Sequence, residues 1–223
     1  MKAVILVSGG LDSATTLYYA KNRGYDCECL TLDYGQRHIR EIDSAEKLAR
    51  SCGAPCRVIK FDLPWGKSSL LDRGLRVPKG RTLSRIRAAG IPNTYVPARN
   101  TIFLSFAVSY AESVDAGAIF IGANAVDFSG YPDCRPEYYK AFKKVISRGT
   151  KAGALKKSIK VITPLITKTK SQIIKMGKKL GVPYELTWSC YSGGEKPCLE
   201  CDSCLLRAKG FREAGFRDPL IGI

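Results

Sequence analysis

Histidine is almost absent. His38 is the only one in 223 residues, so any imidazole chemistry rests on one side chain, and a lone loop histidine is more often a hydrogen-bonding scaffold. No apolar run approaches the ~20 residues that a bilayer span needs, and Met1-Lys2 leads straight into a strand pattern, so neither a membrane span nor a signal peptide is expected. A G-x4-G-K-[ST] loop and a G-x-G-x-x-G turn are both missing, which excludes the two commonest nucleotide fingerprints. No internal repeat or low-complexity segment is visible. Acids are scarce as well: 20 Asp and Glu stand against 36 Lys and Arg, a net charge of +16. From Arg135 to Leu180, Glu137 alone faces fourteen Lys and Arg. Such a surface suits anionic partners, whether nucleotides or nucleic acid, or is the solvated, lysine-rich face of a heat-adapted protein.

What is present begins at the N-terminus. Ala3-Val4-Ile5-Leu6-Val7 reads as a buried parallel strand. It ends in Ser8-Gly9-Gly10-Leu11-Asp12-Ser13, from which a helical pattern runs to Gly24. Glycines let the backbone approach an anion, and the first free N–H groups of a helix point at it with the positive end of the dipole behind them. Ser8 and Ser13 add hydroxyl donors, while Asp12 suits an N-cap or a bound Mg²⁺. The stretch resembles the PP-loop of the ATP pyrophosphatase superfamily, which implies ATP cleaved between the α- and β-phosphates and AMP placed on an acceptor oxygen.

Strands are expected at Tyr25–Leu32, Cys56–Phe61, Ala118–Ile121 and Ile159–Ile162, and helices at Arg40–Ser51, Thr101–Val114, Glu137–Ile146 and Lys170–Leu180, with a last one ending at Ala214. This alternation predicts an α/β, Rossmann-like, doubly wound parallel sheet. Ligands of such sheets sit beyond the carboxyl ends of strands where the winding reverses, so SGGLDS and DYGQRH are candidate site loops. Residues 1–187 read as the ATP-binding domain and 188–223 as a small zinc-binding region. Residues 64–97, basic and punctuated by Gly and Pro, read as an insertion that is either a lid or partly disordered.

Nine cysteines without an export signal indicate a reducing compartment and a cytoplasmic protein, so clustered cysteines suggest metal before disulfides. Cys190-x7-Cys198-x2-Cys201-x2-Cys204 offers four thiolates, with Gly193, Gly194 and Pro197 reversing the chain between the first two. Structural zinc is the favoured reading. An iron–sulfur cluster is the alternative, though the C-P ending of the ferredoxin run is absent. Cys27, Cys29, Cys52 and Cys56 read as small buried hydrophobes. Cys134, in a polar loop between Asp133 and Arg135, is a candidate substrate contact or, less readily, a nucleophile.

SGGLDS, LDYGQRH, YVPARNTIFLS, IFIGAN, DFSGYPDCRPEYYKAF, ITPL and the LTWSCY-to-cysteine tail occur in order and together resemble the 7-cyano-7-deazaguanine synthase family. The likeness runs from Lys2 to Pro219 and is weakest over Asp62–Asn93. It implies an adenine nucleotide alpha hydrolase-like fold and a ligase that uses ATP, with Mg²⁺, to convert 7-carboxy-7-deazaguanine and ammonia into 7-cyano-7-deazaguanine. Adenylated carboxylate and amide intermediates are implied with it. Ser8 to Ser13 would cradle the pyrophosphate, with Asp12 near Mg²⁺. Arg99 and Lys168 would offset phosphate charge. Tyr34, Gln36 and Arg37 could touch either ligand, while Asn124, Asp127, Tyr131, Asp133 and Arg135 would contact the substrate. The four tail cysteines match the family's zinc ligands. No glutaminase-like segment is present, so free ammonium is the expected nitrogen donor. The family likeness also suggests a homodimer that does not require nucleic acid. The rivals are a PP-loop tRNA-modifying enzyme that adenylates a base carbonyl, an ammonia-dependent synthetase of another small carboxylate, and a non-catalytic zinc-bearing nucleic-acid module, which would leave SGGLDS unexplained.

Overall fold

The computed structural model describes the whole chain except residues 38, 39, 66, 89, 127–129 and 223 and the side chain of Arg87. His38 and Asp127 therefore lie outside the described residues. Five strands, β1 (Lys2–Leu6), β2 (Asp26–Asp33), β3 (Cys56–Lys60), β4 (Ala118–Ile121) and β5 (Lys160–Ile162), form one sheet in the order β3-β2-β1-β4-β5. Every neighbouring pair is parallel; Ala3, for example, lies beside Cys27 on one side and Ala118 on the other. The chain winds outward from β1 through β2 to β3, then crosses back to place β4 on the opposite side of β1. The reversal falls between β1 and β4.

Alternate residues of β1 feed two cores, as expected of a strand covered on both faces. Ala3 and Ile5, with Val7 just beyond the strand, pack with Leu17 of α1 (Leu11–Asn22), Leu48 of α2 (Arg40–Ser51), Ile173 of α7 (Lys170–Lys179) and Phe211 of α8 (Asp202–Ala214). Val4 and Leu6 pack with Leu104 of α4 (Arg99–Ser113) and Phe142 of α5 (Pro136–Gly149). Cys27, Cys29 and Cys52 are buried in the first of these cores, where burial pushes all three thiols upward, Cys27 to about 11. They behave as apolar filling.

The doubly wound sheet expected from the sequence is present. Asp12 is not an N-cap: α1 starts one residue earlier, Gly10 is the flanking residue, and Asp12 lies within the first turn. The basic stretch 64–97 contains α3 (Leu83–Ala88) and is docked on its neighbours. Leu63, Leu70 and Val96 pack on Tyr34, the Gly80 N–H donates to the Glu200 carbonyl at 3.0 Å, and the Arg81 Nε donates to Asp202 at 3.0 Å. A short α6 (Lys151–Ala154) and 3-10 turns at Pro132–Cys134 and Tyr184–Leu186 complete the chain. Among the described residues no helix is long and apolar enough to cross a membrane.

Candidate active site

The glycine turn after β1 sits at the reversal point. Its geometry depends on Gly9, which has φ +80, and a Cβ there would lie 2.1 Å from the Glu41 carbonyl at the start of α2. Only glycine fits both the backbone angle and the space. The Ser13 hydroxyl accepts from the Ser8 N–H at 3.1 Å and donates to the Gly10 carbonyl at 3.0 Å, closing the turn on itself. Within α1 the first backbone bond runs from the Ala14 N–H to the Gly10 carbonyl at 3.0 Å. The N–H groups of Leu11, Asp12 and Ser13 are thus the ones a helix start leaves without an intrahelical partner. The loop after β4 approaches closely; a Cβ on Gly122 would lie 3.0 Å from the Asp12 and Ser13 backbone.

These two loops wall a cavity of about 260 Å³. Ser8, Gly10, Leu11, Asp12 and Ser13 line one end. Leu30, Thr31 and Leu32 of β2 line it further along, followed by Tyr34, Gln36 and Glu41. Arg99, Asn100 and Phe103 enter from α4, Asn124 and Tyr131 from the loop after β4, Lys170 from α7, and Trp188, Tyr191 and Arg207 from the C-terminal region. The tail is tied to the turn directly: the Trp188 N–H donates to the Gly9 carbonyl at 2.9 Å.

Not all residues singled out in the sequence meet here. The Lys168 side chain is not among the cavity walls, and its carbonyl accepts from Asn124. Lys170 takes the place opposite the turn, its ammonium 2.8 and 2.7 Å from the two Asp12 oxygens. Arg37 points away to hold the insertion, donating to the Leu75 carbonyl at 2.8 Å. Asp133 is buried and accepts the Asn100 N–H at 3.0 Å, placing a carboxylate at the positive end of α4. Arg135 is exposed and absent from the walls. Gln36 lines the cavity while its side-chain oxygen accepts the Tyr34 N–H at 2.8 Å.

Arg99, Glu41 and Cys134 set the electrostatics of the remaining walls. Arg99 donates to the Tyr34 hydroxyl at 3.1 Å and lies 5.8 Å from the Phe103 ring centre. Burial would weaken its guanidinium, but the neighbouring hydroxyls of Tyr34 and Tyr131 outweigh that and keep it charged. Glu41 feels the opposite balance: burial pushes its carboxyl up to about 8 despite the nearby Arg99. Cys134 lines the cavity and accepts from the Asn100 amide at 3.3 Å. Burial and Asp133 push that thiol up to about 11, which works against the thiolate form that a nucleophile needs.

Lys170 and Glu41 had weak sequence signals. Lys170 lies in the same KTK run as Lys168, and Glu41 opens the helix after DYGQRH. Which of them faces inward depends on helix phase and on what packs above.

Behind Trp188 and Tyr191, the Sγ atoms of Cys190, Cys198, Cys201 and Cys204 all lie within 4.8 Å of one another, a cluster that could hold one metal ion. The N–H groups of Cys198 and Cys201 donate to the sulfurs of Cys190 and Cys198 at 3.3 Å. Hydrogen bonds from the Cys201 and Cys204 thiols, then from backbone N–H groups, hold Cys190 far below the ordinary thiol range. A sulfur kept anionic among others is the donor set a metal cation requires.

Comparison with known proteins shows the family to which the chain belongs. The family described as "Queuosine biosynthesis protein QueC" matches residues 2–215. A protein of Trichodesmium erythraeum named 7-cyano-7-deazaguanine synthase is 53% identical over 223 residues, covering 99% of this chain and 100% of the relative. One of the same name from Thermoplasma acidophilum is 58% identical over 220 residues, covering 98% and 91%. Another, from Nostoc punctiforme, is 52% identical and covers 99% of each chain.

Proposed function

The chain belongs to the queuosine biosynthesis protein QueC family, and from that premise we propose that its cavity converts 7-carboxy-7-deazaguanine and ammonia into 7-cyano-7-deazaguanine at the expense of ATP. It is an enzyme that forms a carbon–nitrogen bond. The observation that carries the site assignment is the placement of the Ser8–Ser13 turn, with its outward N–H groups and the Lys170 ammonium, in one cavity with the Arg99 and Tyr131 end.

A carboxylate is a poor electrophile because oxide is a prohibitive leaving group. Attack of a substrate carboxylate oxygen on the α-phosphorus breaks the α–β bond, releases pyrophosphate and leaves an acyl adenylate. Ammonia then attacks the carbonyl carbon, AMP departs, and loss of a proton gives the amide. A second adenylation, on the amide oxygen, lets AMP leave with loss of the nitrogen's protons, and the nitrile remains.

In this reading the Leu11, Asp12 and Ser13 N–H groups and the Ser8 and Ser13 hydroxyls hold the departing pyrophosphate, with Lys170 countering its charge. Lys170 takes over the phosphate role first given to Lys168. Mg²⁺ accompanying ATP neutralises phosphate charge, and Asp12 is the cavity carboxylate placed to hold it. Arg99, Tyr34, Gln36, Asn124 and Tyr131 line the same cavity and in this reading face the substrate. The four tail cysteines suit zinc, which in a closed thiolate set ties the tail wall together and takes no part in the reaction. Free ammonium as donor, a cytoplasmic setting and a homodimer complete the reading, the last resting on family likeness alone.

The test is a mass-spectrometric assay of the purified, zinc-loaded protein with ATP, Mg²⁺, ammonium and 7-carboxy-7-deazaguanine. Nitrile formed only when ATP is present is the expected result. Neither amide nor nitrile from folded, metal-replete protein would overturn the reading.

A further inference from the structure

Arg207 lines the same cavity as the phosphate turn, and a guanidinium in that place reads first as a phosphate ligand. Its hydrogen bonds give it another task. Nε and Nη2 hold the two oxygens of Asp218 at 2.6 and 2.8 Å, a two-pronged pair. Nη2 also donates to the Tyr184 carbonyl at 3.1 Å, and Nη1 donates to the hydroxyls of Thr187 at 2.7 Å and Ser189 at 3.2 Å. A guanidinium has five N–H donors, and here five bonds take them. None is left for a ligand. Arg207 and Asp218 are 4% and 1% exposed, so removing either partner strands a buried charge.

The pair holds the chain on either side of Trp188. Thr187 and Ser189 flank that residue, and the Thr187 hydroxyl also donates to the Tyr184 carbonyl at 2.6 Å. Between them Trp188 is fixed twice. Its indole Nε1 donates to the Cys190 carbonyl at 3.0 Å, and its backbone N–H donates to the Gly9 carbonyl at 2.9 Å. A peptide unit is planar and trans, so the Gly10 N–H points the opposite way from the Gly9 carbonyl. It is directed at the Ser8 hydroxyl, 3.4 Å away, and both residues line the cavity. Gly9 and Gly10 carry no Cβ to resist rotation of that peptide, so the bond from Trp188 is what sets it.

We propose that Arg207 is a positioning residue for the phosphate turn. Anchored by Asp218 and acting through Thr187 and Ser189, it sets Trp188 so that the Gly10 N–H stays turned toward the phosphates of ATP. The inference rests on the reading of ATP at this turn given above. Asp218 and Thr187 are not among the cavity walls. A change in ATP affinity on substituting them therefore reaches the turn through Trp188.

The experiment measures KM for ATP and KM for 7-carboxy-7-deazaguanine in nitrile formation, at a temperature below every melting transition. The proteins are the parent, Asp218→Asn, Thr187→Val and Phe142→Leu. Phe142 packs in the core that holds Val4 and Leu104, away from the tail, and its variant controls for lost stability alone. Asp218→Asn should raise KM for ATP by about 10-fold, the scale of one hydrogen bond to a charged group. Thr187→Val should raise it by about threefold. KM for the deazaguanine should stay within about twofold in both, as should both constants in Phe142→Leu. Thr187→Val keeps the ion pair, so it decides alone if Asp218→Asn does not fold. An unchanged KM for ATP, an equal rise for both substrates, or the same split in Phe142→Leu overturns the proposal. A parent that makes nitrile while its variants show no split loses the positioning role alone. A parent that makes none loses the reading of the reaction and this inference with it.

Discussion

The Lys170 ammonium spans both carboxylate oxygens of Asp12, at 2.8 and 2.7 Å, and so joins the first turn of α7 to the first turn of α1 across the mouth of the phosphate turn. Lys170 is also packed along its stem: a Cβ on Gly210 of α8 would lie 2.4 Å from its Cγ. The ion pair is therefore clamped from behind by the C-terminal helix.

Lys170→Ala should lower kcat/KM by about 100-fold or more, on the scale of losing one preorganised charge at the reacting phosphates. Lys168→Ala should stay within a few-fold of the parent. Steady-state kinetics on both variants checks the ordering, and the reverse ordering would return the phosphate role to Lys168. Asp12→Ala should also abolish turnover with the thermal transition nearly unchanged, because its carboxylate is only partly buried.

Gly9→Ala places a methyl group against the Glu41 carbonyl at a residue with φ +80. The backbone angle alone costs about 1–3 kcal/mol, and the overlap must be relieved by moving α2 or the turn. Urea midpoints should fall and ATP binding should be lost, whereas Gly24→Ala, with open space around it, should show the strain of a positive φ without loss of ATP binding.

Cys201 is fully buried within the cysteine cluster, and Cys201→Ser should lose bound metal and thermal stability together. Binding energy at a structural metal site is folding energy. Metal content by plasma mass spectrometry and a melting curve, with and without a chelator, give the answer. A metal-free variant as heat-stable as the parent would refute the structural role.

Glu41 should leave a mark on stability against pH. Its folded carboxyl titrates near 8, against an ordinary 4.5, so between those values the folded chain binds a proton that the unfolded chain has lost. The contribution is complete below pH ~4.5 and is lost as pH rises toward 8. Glu41→Gln should lack that decline, and the difference between the urea-midpoint profiles of the two proteins isolates it. Parallel profiles across this window would show that Glu41 is ionised in the folded chain.

Much of the architecture was legible in the sequence because parallel strands are short apolar runs and glycine turns punctuate them. Val4–Val7, Ala118–Ile121 and the SGG turn carry their structure locally. The helix in the insertion was not legible: LSRIRA is six polar-rich residues, too short for helical periodicity to register. Its order comes from docking, through Gly80, Arg81 and the Tyr34 cluster. Asp133 lies on the loop after β4, a place that with the family resemblance suits a substrate contact. Only the tertiary structure brings the start of α4 to it. Lys168 and Lys170 are chemically alike, and Thr169 as the helix N-cap decides that Lys170 begins the turn facing Asp12.

The bond from the Trp188 N–H to the Gly9 carbonyl joins the first loop of the chain to one of the last. The two residues lie far apart in sequence, so the phosphate turn can form from local chain while the wall that Trp188, Tyr191 and Arg207 complete waits on a long-range contact.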